Sequence, residues 1–105
     1  MFVILRGASL EGVRRHLAHY RPGMGRLPTN HPLYETAEAC LSSVHAAETE
    51  LLAGAKTDES GIALPRKALQ SLTRTTEELV DQGLWSQDQL RQYIDPLIGR
   101  ARRYG

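Results

Sequence analysis

Apolar positions recur at steps of three and four over most of the chain, the spacing of amphipathic helices. The longest such run covers 33–52, LYETAEACLSSVHAAETELL, in which Leu33, Ala37, Cys40, Val44, Ala47 and Leu51 form one seam. Asn30 offers an N-cap, Pro32 stands where an early helical proline is tolerated, Glu35 and Glu38 suit the positive end of the helix dipole, and Gly54 is a stop signal. The pattern predicts a helix over 31–53. A second run, Leu64, Ala68, Leu69, Leu72, Thr76, Leu79 and Val80, has Pro65 in its first turn and Gly83 past its end, and predicts a helix over 64–82. The third opens on the clearest local signal in the chain. Ser86 is an N-cap, Gln89 completes a capping box, and Trp85 and Leu90 occupy the two hydrophobic-staple positions. With Leu90, Ile94, Leu97 and Ala101 on one face it predicts a helix over 87–103, kinked at Pro96.

The N-terminal third is less regular. Ser9 caps a predicted helix over 9–20 with Leu10, Val13 and Leu17 on one face, although Gly12 weakens it by roughly 1 kcal/mol relative to alanine. Ahead of it, FVIL at 2–5 reads on its own as a strand, but no second strand candidate accompanies it, because AKTDESGIA at 55–63 reads as an exposed polar loop. Such a segment docks on the helices, pairs with a copy of itself, or joins the next helix. Pro22, Gly23, Gly25, Pro28 and Pro32 then mark a linker, inside which Met24 is an alternative start. The expected architecture is therefore all-α: a small antiparallel bundle of three main helices plus the N-terminal one. It forms a single domain over 1–105, with 1–29 as a loosely attached arm.

Composition changes this picture little. The chain is 41% hydrophobic and 24% charged, as in an ordinary globular domain, and its 6% aromatic content leaves most core packing to aliphatic residues and alanine. At 105 residues a single core is small, which favours association with a second copy or another protein. One cysteine excludes an intrachain disulfide and any zinc-cluster spacing, so the expected compartment is a reducing one, as in a cytoplasmic bacterial protein. MFVIL at the start is too short for the apolar region of a signal peptide, and no apolar run approaches the ~20 residues that cross a bilayer.

Charge is more informative in its distribution than in its net value of +1. Residues 1–30 hold five arginines and one glutamate, residues 31–62 one lysine and six acids, and residues 63–105 seven basic and five acidic groups. An acidic central helix between basic ends satisfies itself internally or marks complementary surfaces between subunits. Two arginine clusters, Arg14, Arg15, Arg21 and Arg26 and then Arg100, Arg102 and Arg103, give nucleic acid as an alternative partner through phosphate contacts. The near-neutral balance, the thin aromatic interleaving and the lack of a recognition-helix turn argue against it.

Candidate chemistry is sparse. His16 and His19 form H-x-x-H, and His45 and Glu48 form H-x-x-E, spacings that put both members of a pair on one side of a helix and can serve zinc or iron. They are the weak metal candidates; the arginines around His16 and His19 repel a cation. His45 on a long helix also resembles the histidine of phosphotransfer modules. Those follow it with lysine and glycine, where this chain has Ala46, Ala47 and Glu48. Cys40 lies on the apolar seam, five residues from His45 and so off its face. No phosphate-binding loop, dinucleotide glycine motif or Ser/His/Asp grouping is present, so no catalytic residue and no cofactor is assigned. The expectation is a non-enzymatic interaction or regulatory protein acting through helix packing, most simply as a homodimer. The small-residue seam of Ala37, Cys40, Val44, Ala47 and Leu51 is its candidate interface, and no membrane is involved.

Overall fold

A computed structural model of the chain describes residues 1–23 and 27–99. The architecture is mixed, with helices packed on one face of a small antiparallel sheet, and the all-α expectation is wrong. The elements run β1 (Phe2–Arg6), α1 (Leu10–Tyr20), α2 (Tyr34–Gly54), β2 (Lys56–Asp58), β3 (Gly61–Pro65), α3 (Arg66–Asp81) and α4 (Gln87–Ile94), followed by a 3₁₀ turn at Asp95–Leu97. The three strands lie in the order β1-β3-β2, both pairings antiparallel. The segment read as a polar loop is in fact a tight hairpin. Asp58 Oδ1 accepts from the Ser60 amide at 2.7 Å, the Ser60 hydroxyl at 2.7 Å and the Gly61 amide at 3.1 Å, which folds the chain back at Glu59–Ser60. These bonds stabilise the anionic form, and the Asp58 carboxyl is held below its ordinary range.

The sheet was hidden in the sequence because β2 is only three residues long and β3 runs directly into the helix pattern that follows it. Lys-Thr-Asp shows no alternation over three exposed residues, and Leu64 continues the apolar phase of α3 without a break. Pro65 closes β3 and forms the N-cap position of α3. It pairs with Phe2. The ladder to β1 is carried by the other set of residues, as Arg66 N–H to Met1 C=O at 3.0 Å and Gly7 N–H to Ser60 C=O at 2.7 Å show. Antiparallel strands alternate hydrogen-bonded and non-bonded pairs, so Val3↔Leu64 and Leu5↔Ile62 are the bonded pairs, and the missing amide of Pro65 faces away from β1.

Side chains alternate across the sheet in the same register. Leu5, Ile62 and Leu64 are buried against the helices, with Val3 beside them, while Phe2, Ile4 and Arg6 take the opposite face. The N-terminal strand and helix are thus part of the packed structure, Val13 and Leu17 of α1 entering the same core as Leu5.

The helices differ from their predicted spans mostly at the ends. Ser9 caps α1 by accepting from the Gly12 amide at 3.0 Å. Asn30 does not cap α2: the His31 ring accepts from the Leu33 amide at 3.0 Å, and a turn at Pro28–His31 delays the helix to Tyr34. Gly83, in the left-handed region at φ 75°, closes α3 with two bonds, Gly83 N–H to Val80 C=O and Leu84 N–H to Leu79 C=O. The predicted capping box is present, Ser86 and Gln89 each bonding the other's backbone amide. Pro96 ends α4 rather than kinking it: the helix stops at Ile94 and passes into the 3₁₀ turn, since a proline there clashes with the carbonyl one turn back. Ile98 and Gly99 form a turn, with Gly99 at φ 76°, and the remainder of the predicted 87–103 helix, 100–103, lies outside the described residues. Among those residues, no helix is long and apolar enough to cross a membrane.

Candidate interaction site

The seam of α2 is covered by its own chain. Ala37, Cys40, Val44, Ala47 and Leu51 are all buried, and Cys40, Val44, Ala47 and Leu51 share one core with Ala68, Leu69, Leu72 and Leu79 of α3. Their small side chains let the two helices approach closely, so the residues expected at an intermolecular interface form the interior of the monomer. Cys40, 8% exposed, sits there as a small hydrophobe. Burial first, and the Glu78 carboxylate second, push its thiol above the ordinary range. Iodoacetamide should therefore leave Cys40 unmodified in the folded protein and alkylate it only in denaturant, as intact-mass measurement would read; rapid native alkylation would contradict the packing.

Beside the seam stands the one buried carboxylate among the described residues. Glu48 is 2% exposed. Arg21, where α1 ends, reaches it with Nε at 3.0 Å and Nη2 at 2.6 Å from Oε1, and Nε is also 3.2 Å from Oε2. Tyr93, in the last turn of α4, donates its hydroxyl to Oε2. The Tyr93 carbonyl accepts from His16 Nε2 at 2.9 Å, and Trp85 meets the Tyr93 ring edge-on at 5.7 Å. Burial pushes the Tyr93 phenol far above its usual range, the Glu48 carboxylate adds to the effect, and Arg21 opposes it only in part. Its bond to Glu48 raises the Arg21 guanidinium in turn. With the guanidinium reaching both oxygens and a phenol donating to Oε2, the carboxylate is spent on structure. The group clasps α1 and α4 onto α2.

The remaining sequence candidates do not converge. His45 is exposed although Glu48, three residues on, is buried, so the H-x-x-E pair is split between solvent and core. His16 is committed to the Tyr93 carbonyl and His19 is exposed, its ring against Tyr20. Among the described residues no group of three His, Cys, Asp or Glu side chains gathers to hold a metal. Of the arginines, Arg21 belongs to the clasp, Arg14 makes an exposed pair with Glu11 at 3.3 Å, and Arg15 is exposed. Arg26, Arg100, Arg102 and Arg103 lie outside the described residues.

What the described surface does offer is a sheet edge. β1 has β3 on one side and, among the described residues, no strand on the other. Because Val3 and Leu5 bond to β3, the amides and carbonyls of Phe2, Ile4 and Arg6 point outward along that edge. The same strand presents Ile4, 57% exposed, and follows Met1; these are two of the three exposed large hydrophobic side chains described. Lys56 lies over the Phe2 ring, 5.4 Å from its centroid. Compared with known proteins, the chain matches no family model, no curated protein and no solved structure.

Proposed function

We propose that this is a non-enzymatic protein-binding protein that self-associates, and that the surface it uses is the free edge of β1 rather than the α2 seam. The observation that carries the reading is the row of Phe2, Ile4 and Arg6 backbone groups, unpaired among the described residues, beside an exposed isoleucine. An edge of this kind is a template for another strand. The seam, by contrast, is occupied by α3, and using it would require opening the core. The site chemistry supports the non-enzymatic part: the buried acid is saturated by Arg21 and Tyr93, and the only thiol is packed among aliphatic side chains. A lone free cysteine suits a reducing, cytoplasmic setting.

The test is the solution mass as a function of concentration, by light scattering or sedimentation. The mass should rise from one chain toward two as the protein is concentrated. Ile4→Pro should remain monomeric with the fold retained, because the amide it deletes faces solvent and not β3. A single-chain mass at every concentration would remove the proposal.

A further inference from the structure

We infer that two copies join β1 to β1 in antiparallel register about a two-fold axis at Ile4, making one six-stranded sheet with all the helices on one side. This rests on the self-association proposed above and adds its geometry. A closed pair uses the same patch on both copies. A two-fold axis normal to the sheet sets the edge strands antiparallel and keeps both apolar inner faces on the same side, where the helices already lie.

The outward backbone groups then fix which residues can oppose one another. Only Phe2, Ile4 and Arg6 carry amides and carbonyls facing the free edge, so hydrogen-bonded pairs must be drawn from these three. The register that uses all of them sets Ile4 against the partner's Ile4, and Phe2 against the partner's Arg6. A slide that brought Arg6 opposite the partner's Arg6 would leave most of the edge unpaired and face like charges. The centred register instead holds those arginines four residues apart along the strands, roughly 14 Å. It covers Ile4 with its symmetry mate and sets each Arg6 opposite a Phe2 whose ring already carries Lys56 at 5.4 Å. On the inner face Val3 meets the partner's Leu5, extending the row of buried aliphatic side chains across the junction.

Charge reversal at the axis tests the register directly. Ile4→Lys and Ile4→Glu should each weaken the homodimer by about tenfold or more, since two like charges then stand opposite each other, while an equimolar mixture of the two should recover a dimer. Ile4 is on the surface, so circular dichroism should report an unchanged fold. As a second readout in a Cys40→Ala background, Ile4→Cys should form a disulfide-linked dimer on mild oxidation. Directly opposed hydrogen-bonded residues have Cα atoms about 5.5 Å apart, within disulfide reach. Arg6→Cys should not. If the wild-type chain is a monomer throughout, self-association itself fails. If the wild type dimerises but the mixture shows no recovery, or Arg6→Cys crosslinks faster than Ile4→Cys, the centred register is overturned and the self-association stands.

Discussion

Arg21→Met is expected to lower the stability of the fold by about 2–4 kcal/mol at neutral pH, a large fraction of what a domain this size possesses. In thermal unfolding that corresponds to a fall in Tm on the order of 10–20 °C. The reason is an asymmetry in the clasp. Glu48 is almost fully buried, whereas Arg21 keeps 47% of its side chain exposed. Methionine retains the aliphatic stem but leaves the carboxylate inside the protein with the Tyr93 hydroxyl as its one partner among the described residues. Breaking a wholly buried pair costs about 3–5 kcal/mol, and the half-exposed guanidinium reduces that range here. Glu48→Leu removes the other member and should cost less. Arg21 then turns to water, and the remaining penalty is the unpaired Tyr93 hydroxyl, of order 1–3 kcal/mol.

Urea denaturation of the two variants and their double mutant gives the coupling. Arg21→Met added to Glu48→Leu should cost almost nothing, because the arginine has no further partner among the described residues. If Arg21→Met alone is neutral, the pair contributes no net stability, and α1 is held by Val13 and Leu17 without it.

The clasp was half legible in the sequence. Val44, Glu48 and Leu51 step by four and three just as the apolar seam does, so a charged residue stood on a buried stripe, and that pattern alone could have flagged Glu48 as an acid needing partners. The partners could not be read, because Arg21 and Tyr93 lie 27 and 45 residues away and meet Glu48 only through helix packing. Low aromatic content likewise suggested an aliphatic core. Yet Tyr93 is fully buried with Trp85 against it, so two rings hold the place where α4 meets the other helices.

Helix interiors and caps were readable for a physical reason. Ser9, Gly83, Ser86 and Gln89 act on backbone groups within a few residues, so their effect is written in the local sequence. The sheet was not, since β1 finds β3 some sixty residues later and β2 is too short to show a period of two. The apolar run at 62–64 was absorbed into the helix pattern that follows it. The FVIL segment reads as strand-like and lacks only a visible mate. One consequence is that β1, and not α2, carries the surface proposed for association.

Gly61 lets β1 lie close against β3, so Gly61→Ala should lower stability by about 3 kcal/mol or more. A Cβ at that position would lie 2.1 Å from the Leu5 carbonyl oxygen and 2.9 Å from Arg6 Cα. Both are backbone atoms and cannot rotate aside as a flexible side chain can. Gly61 also sits at φ +157°, a conformation that favours glycine. Relief requires β1 to move off β3, which takes Leu5 out of the core and breaks the bonds made by Val3 and Leu5. Gly7→Ala is the contrast: nothing lies within 4 Å of its Cβ, so only the left-handed backbone at φ +76° is penalised, by about 1 kcal/mol. Hydrogen exchange separates local from global loss. In Gly61→Ala the amides in the middle of α2 and α3 should lose protection only as far as global stability falls, while those of Val3 and Leu5 should lose more, and concentration-dependent association should disappear along with the ordered edge. Unchanged protection of Val3 and Leu5 in a variant of wild-type stability would mean that β1 does not approach β3 at Gly61, and the sheet would have to be redrawn.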